Sequence, residues 1–298
     1  MPSIQEPFAL AALEEFVCID SSFINGDVMI HCLSYGEGEP LVFVHGFPDN
    51  DLTFHKQIAD FAKDHTVYVP TMRGYPPSSV PTDVDRYSVG ELVGDMVALL
   101  DNLQLESAHV IGHDWGGVVL QAFALYHPKR VKSLVLLNSP VLQPFLNLLQ
   151  ADSEQQKLAR YTLPYHRYQP GDSKNEEYIV RNIRDPEWRR YVAKYLEASP
   201  IEGMLNYYKK IYPGPPYGNP PPDDVSPFIY KVPTLILWGL DDPYFSLKHL
   251  SDLWEWFEHS YRFVSIPDAG HWVHQDAPQK VNYEIRSWLA GFNAPNAA

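Results

Sequence analysis

The segment Gly112-His113-Asp114-Trp115-Gly116-Gly117 holds the residue types and spacing that speak most directly of chemistry. It follows a strand-like run, Ser107 to Gly112, and opens an apolar helical stretch, Val118 to Tyr126. A sharp strand-to-helix turn needs small residues two before and two after its apex, because side chains there would collide. The apex side chain is then pushed out at the C-terminal edge of the sheet. Such turns usually carry serine at the apex; here it is Asp114. An aspartate ahead of a helix can be a plain N-cap, but the glycines on both sides and the partners below favour a nucleophile. A carboxylate is already ionised near neutral pH. It can displace a leaving group at a saturated carbon directly, giving an alkyl ester. Water must then cleave that ester, which calls for a general base and for donors aimed at the growing oxyanion.

The base candidate is His271, in Asp268-Ala269-Gly270-His271-Trp272, beyond the last strand-like run; His274 is the weaker choice. An orienting acid belongs after the preceding strand, where Gly239-Leu240-Asp241-Asp242-Pro243 offers two. Asp242 is preferred and Asp241 is the alternate. The order nucleophile, acid, histidine along the chain is that of the strand–turn–helix hydrolases. The turn His45-Gly46-Phe47-Pro48 can lend the N–H of Phe47, and Trp115 can lend its own, to an oxyanion. Taken alone, that turn reads equally as a Gly-Pro loop.

The set HGFP, MRGY, GHDWGG, GLDDP and GHW resembles the α/β-hydrolase family, in its aspartate-nucleophile branch, and within that branch the soluble epoxide hydrolases. The resemblance covers residues 17–140 and 228–290. It implies an eight-stranded, mostly parallel sheet with helices on both faces and an inserted helical cap. It also implies Asp114 as nucleophile, His271 as base, Asp242 as acid, and Phe47 and Trp115 as oxyanion donors. In that family two cap tyrosines protonate the departing epoxide oxygen. Gly203-Met204-Leu205-Asn206-Tyr207-Tyr208 matches one motif and carries the role to Tyr208. In Tyr161-Thr162-Leu163-Pro164-Tyr165-His166 no tyrosine falls squarely in register; Tyr165 is chosen, with Tyr161 and His166 as rivals. Thr71 and Pro76 depart from the family, which usually has an acid and a glycine there. The expected substrate is a small apolar epoxide, bound among Phe47, Trp115, Phe145, Tyr208 and Trp272.

A haloalkane-type dehalogenase would use the same three residues. It needs N–H donors for halide in place of acids; Trp115 offers one, and no second is evident. Fluoroacetate-cleaving relatives place arginines one and four residues after the nucleophile, where this chain has Trp115 and Val118. A non-catalytic ligand-binding protein of the same fold is the third reading, disfavoured because no member of the triad is missing. No metal-ligand spacing and no phosphate-binding glycine loop occurs, so neither metal nor cofactor is expected.

The elements that must position these groups alternate. Residues 16–35 form two β-rich runs around Asn25-Gly26-Asp27, a hairpin signal. Short apolar runs at 41–45, 66–70, 107–112, 133–137, 233–238 and 261–266 read as buried strands. Residues 85–103, 118–126 and 278–289 read as helices. This βαβ alternation means a parallel sheet. It breaks between 143 and 228, a helical, tyrosine-rich stretch ending in the proline-rich run 212–224, which reads as a stiff connector. The expected division is a core of 1–142 and 226–298 with a cap of 143–225.

The composition agrees. The 298 residues are 45% hydrophobic, enough for a large core without staples, and a formal charge of −14 argues against nucleic acid or anionic membrane as a partner. The two cysteines, Cys18 and Cys32, read as buried thiols. No secretory signal and no membrane span is visible, so a reducing, cytoplasmic setting is expected. The sequence leaves monomer or homodimer open.

Overall fold

The computed structural model describes residues 8–217 and 228–293. Its strands are β1 (Cys18–Asn25), β2 (Val28–Tyr35), β3 (Glu39–Val44), β4 (His65–Pro70), β5 (Ala108–His113), β6 (Val131–Leu137), β7 (Thr234–Gly239) and β8 (Tyr261–Ile266). They form one sheet in the order β1-β2-β4-β3-β5-β6-β7-β8. β1 and β2 are an antiparallel hairpin closing between Asn25 and Val28, where Gly26 takes the left-handed backbone such a turn needs. β2 meets β4 antiparallel, and from β4 to β8 every pairing is parallel.

The central strands are buried on both faces because residues of opposite parity feed two cores. Phe43, Val69, Ile111, Val135 and Leu237 face α1 (His55–Phe61) and α11 (Pro278–Asn293). Val42, Val44, Val110, Leu134 and Ile236 face α2 (Val89–Asn102) and α3 (Trp115–Tyr126). The chain leaves β3 in one direction to pair β4 and in the other to pair β5. That switch point opens a crevice at the C-terminal ends of the strands, where ligands of such sheets bind.

Between β6 and β7 lies the helical insertion: α4 (Leu142–Ala151), α5 (Ser153–Leu158), α6 (Leu163–Arg167), α7 (Glu176–Val180), α8 (Pro186–Ala198) and α9 (Glu202–Lys210). The expected return to the core at 225/226, and residues 218–224 of the proline-rich connector, lie outside the described residues. α10 (Val273–Asp276) precedes α11.

Three expectations need correction. Cys18 is exposed, and only Cys32 is buried. β1 is an edge strand whose residues are mostly solvated, so β-rich composition there did not mean burial. The helix expected over 85–103 is two elements. Asp83 caps a short 3₁₀ turn, Val84–Tyr87, and Ser88 restarts the chain as the N-cap of α2. Helix α3 begins at Trp115, three residues before the apolar periodicity becomes visible. At the departure from the family pattern, the buried Thr71 hydroxyl donates to Asp51 Oδ2 at 3.0 Å.

Candidate active site

Asp114 joins β5 to α3 with φ 50° and ψ −120°, and its side chain makes no capping hydrogen bond to the helix. The plain N-cap reading therefore fails. The glycines explain how the chain holds this bend. A side chain at Gly112 would strike the backbone of Gly117, one at Gly116 the carbonyls of Val44 and His45, and one at Gly117 the side chain of Ser139. Ser139 in turn donates to the Asp114 carbonyl at 2.9 Å. Non-glycine residues with positive φ cost free energy that the surrounding packing must supply, and they cluster at functional sites.

The turn after β3 reaches the same carboxylate. The Phe47 N–H donates to Asp114 Oδ1 at 2.8 Å. Gly46 passes so close that any Cβ there would overlap Asp114. The other oxygen, Oδ2, stands 3.5 Å from His271 Nε2. His271 Nδ1 meets Asp242 Oδ2 at 2.8 Å, while Asp242 Oδ1 accepts the Tyr244 N–H at 2.9 Å. Asp241, the adjacent residue, points the other way and pairs with Arg184 of the insertion at 3.0 Å. His274 is buried against Thr53 and the ring of His113.

The electrostatics follow from this pairing. Burial alone would favour neutral forms of both partners. For His271 the charges and hydrogen bonds of Asp242 and Asp114 overcome burial and push its pKa up to about 10. For Asp114 burial also acts upward, but His271 and the Phe47 N–H hold the carboxyl below its usual range. The resting arrangement is thus an ionised Asp114 beside a protonated His271.

Helix α9 puts Tyr208 against Phe47 and Trp115, ring centroids 5.4 and 5.2 Å apart. Tyr165 on α6 lies 5.3 Å from Phe47 and 5.0 Å from Tyr208. Tyr161 packs 4.6 Å from Tyr244 and borders the same space. His166 faces Tyr212 instead, centroids 6.2 Å apart, and is not among the residues around Asp114. Asp114 sits between two spaces. One, of about 190 Å³, has walls of almost wholly apolar side chains, including Trp115, Phe145 and Tyr208. The other, about 10 Å³, is bounded by Phe47, Tyr165, His271 and Trp272. All five expected substrate-binding residues thus line one of the two spaces that meet at Asp114, three on the larger and, with Tyr208 shared, three on the smaller.

The family model for the alpha/beta hydrolase fold matches residues 39–278. The chain belongs to the α/β-hydrolase family. Relatives within it include epoxide hydrolases. The chain is 27% identical over 291 residues to epoxide hydrolase 1 of Caenorhabditis elegans, covering 91% of this chain and 70% of that protein. It is 24% identical over 285 residues to mouse epoxide hydrolase 4, covering 89% and 77%. A mutant epoxide hydrolase from Bacillus megaterium superposes with a TM-score of 0.82 at 25% identity, over 91% of this chain and all of that one. This α/β-hydrolase is therefore of the epoxide-hydrolase-like group. Among its described residues no helix is long and apolar enough to cross a membrane, and no group of three or more His, Cys, Asp or Glu converges as metal ligands.

Sequence reasoning missed several supporting residues. Asn138, at positive φ just beyond β6, donates to Asp242 Oδ2 at 2.8 Å and accepts the Gly239 N–H at 2.8 Å. Its place at a strand's C-terminal end was the available signal. Asp49 is fully buried and accepts the indole N–H groups of Trp272 and Trp188, tying the core beside His271 to α8. Only the residue type, an acid following Gly46-Phe47-Pro48, hinted at it.

Proposed function

We propose that this α/β-hydrolase converts an epoxide to a vicinal diol, with residues 143–225 as a cap over a core of 1–142 and 226–298. Asp114 Oδ2 attacks one epoxide carbon; the C–O bond breaks, and the alkoxide takes a proton from Tyr208 or Tyr165. The product is an ester between Asp114 and the opened substrate. Alkylation removes the Asp114 charge that helped hold His271 protonated, so the imidazole gives up its proton, which returns the tyrosinate to tyrosine, and becomes a base. It then takes a proton from water, and the hydroxide attacks the ester carbonyl carbon. The Phe47 and Trp115 N–H groups receive the oxyanion, and collapse releases the diol and restores the carboxylate. Asp242 holds the His271 tautomer and balances its charge.

The observation that carries this reading is the pair of tyrosines, Tyr208 and Tyr165, packed around the carboxylate-bearing turn. An alkoxide is a strong base and needs such acids, whereas halide does not. The Trp115 ring packs edge-on against Tyr208, ring centroids 5.2 Å apart.

The test is intact-protein mass after mixing His271→Gln protein with epoxides and alkyl halides. Without the base the ester should form and persist. An adduct of the whole epoxide mass, lost in the Asp114→Ala background, supports the reading. An adduct formed only from halides, lighter by one hydrogen halide, assigns dehalogenation. No adduct from any compound points to the non-catalytic reading.

A further inference from the structure

The two spaces beside Asp114 are of very unequal size, and this asymmetry bears on which epoxides fit. The space of about 190 Å³ runs between α3 and α4, past Val118, Phe145 and Leu146. An apolar cavity of about 150 Å³ is known to admit benzene, so this one takes a group of single-ring size. The second space that meets Asp114, of about 10 Å³, is no larger than one water needs, and Asp114, Tyr161 and Tyr208 stand on the border of both. The bulk of Phe47, Pro48, Tyr244 and Trp272 closes it, and on its outer side Tyr165 and Ile179 stand as a partition. Those two residues also border a third space, a pocket of about 300 Å³ walled by α6, α7, α9 and the loop between α6 and α7. Ile179 is 3% exposed and sits on the short helix α7.

We infer that this enzyme takes epoxides bearing an apolar substituent on one ring carbon only, and that Ile179 is the residue that enforces the restriction. The inference rests on the epoxide hydrolysis proposed above. With the substituted carbon directed toward Val118 and Phe145, the bare methylene occupies the small space. A trans-1,2-disubstituted epoxide projects its second group to the opposite side, into Ile179 and Tyr165. Forcing a ring into a packed wall costs enough to suppress turnover by roughly 10–100-fold or more. Removing the Ile179 side chain joins the small space to the 300 Å³ pocket and makes room for that group.

The experiment compares kcat/KM for propylene oxide, styrene oxide and trans-stilbene oxide in the wild type, Ile179→Ala and Val118→Trp. In the wild type, styrene oxide should exceed trans-stilbene oxide by about 100-fold. Ile179→Ala should raise the stilbene-to-styrene ratio at least about 10-fold, and Val118→Trp should lower the styrene-to-propylene ratio by a similar factor. Comparable turnover of trans-stilbene oxide and styrene oxide by the wild type overturns the inference. So does a stilbene-to-styrene ratio unmoved by Ile179→Ala or, should that variant not fold, a styrene-to-propylene ratio unmoved by Val118→Trp. Failure to hydrolyse even propylene oxide would instead overturn the epoxide reading, and this inference with it.

Discussion

The Phe47 N–H donates to Asp114 Oδ1 at 2.8 Å, and the glycine before Phe47 leaves no room for a Cβ between the two. The turn after β3 is thus pressed onto the side chain at the end of β5, across the switch point of the sheet. One carboxylate oxygen is occupied by a backbone donor, and the other is left for substrate and His271. Asn138 fixes the third corner by bonding to both Asp242 and Gly239.

Gly46→Ala should push the turn away from Asp114. A misplacement near 1 Å costs about 100-fold in rate, and overpacking costs about 1–3 kcal/mol of stability. Steady-state kinetics and urea unfolding measure both. Unchanged kcat/KM would show that the close approach is dispensable.

Tyr208→Phe and Tyr165→Phe should each slow ring opening by roughly 10–100-fold, and the double variant should approach the 10⁴-fold limit of acid catalysis. The rate of adduct formation in the His271→Gln background reads this step alone. With an alkyl halide in place of the epoxide, the tyrosine variants should change little.

His271 stands at about 10 while Asp114 is ionised. In the ester the Asp114 charge is gone, so the imidazole pKa must lie lower. Ester decay in single-turnover experiments should therefore rise with pH through an apparent pKa below 10. Asp242→Asn should lower that pKa further and slow decay by up to about 10⁴-fold, as loss of the orienting acid does in serine triads. Decay independent of pH between 5 and 9 would remove His271 as base.

Stability should be greatest near neutral pH. His45 is held by burial at about 4, with the Met72 N–H donating to its Nε2 at 3.0 Å. His113 lies at about 3 and His274 well below its usual value, both through burial. Because the unfolded chain takes up these protons near pH 6.5 and the native state does not, stability falls as pH drops from about 6.5 toward 4. Asp49, raised to about 6 by burial, acts in the opposite sense, as do Asp95 and Asp276, but His55, His109 and His249, each lowered to about 4, add to the histidine side. On the alkaline side, His271 contributes stability below pH 6.5 that is lost as pH rises to about 10. Thermal unfolding at pH 4.5, 7 and 9.5 tests the shape; a Tm higher at 4.5 than at 7 would contradict it.

Much of the architecture was legible because it is written in local pattern. Apolar runs of five or six residues marked the buried strands, and Asn25-Gly26 marked the hairpin. The glycines around Asp114 encoded a bend that only small residues permit. Cys18 shows the limit: β-rich composition identifies a strand but not whether the sheet ends there.

The order of these groups along the chain was already readable from the amino acids: Phe47 after β3, Asp114 after β5, an acid pair after β7, His271 after β8. Spacing along the chain fixes backbone geometry, and backbone geometry is local. Asp241 and Asp242, neighbours in sequence, part company only in the folded chain, where the first meets Arg184 and the second His271. The tertiary structure alone brought Tyr165 beside Tyr208, added Asn138 and Asp49, and made one of the spaces at Asp114 roomy and the other closed. Those outcomes depend on side-chain packing between segments far apart in the chain, and no local pattern records which of two adjacent side chains will meet a distant partner.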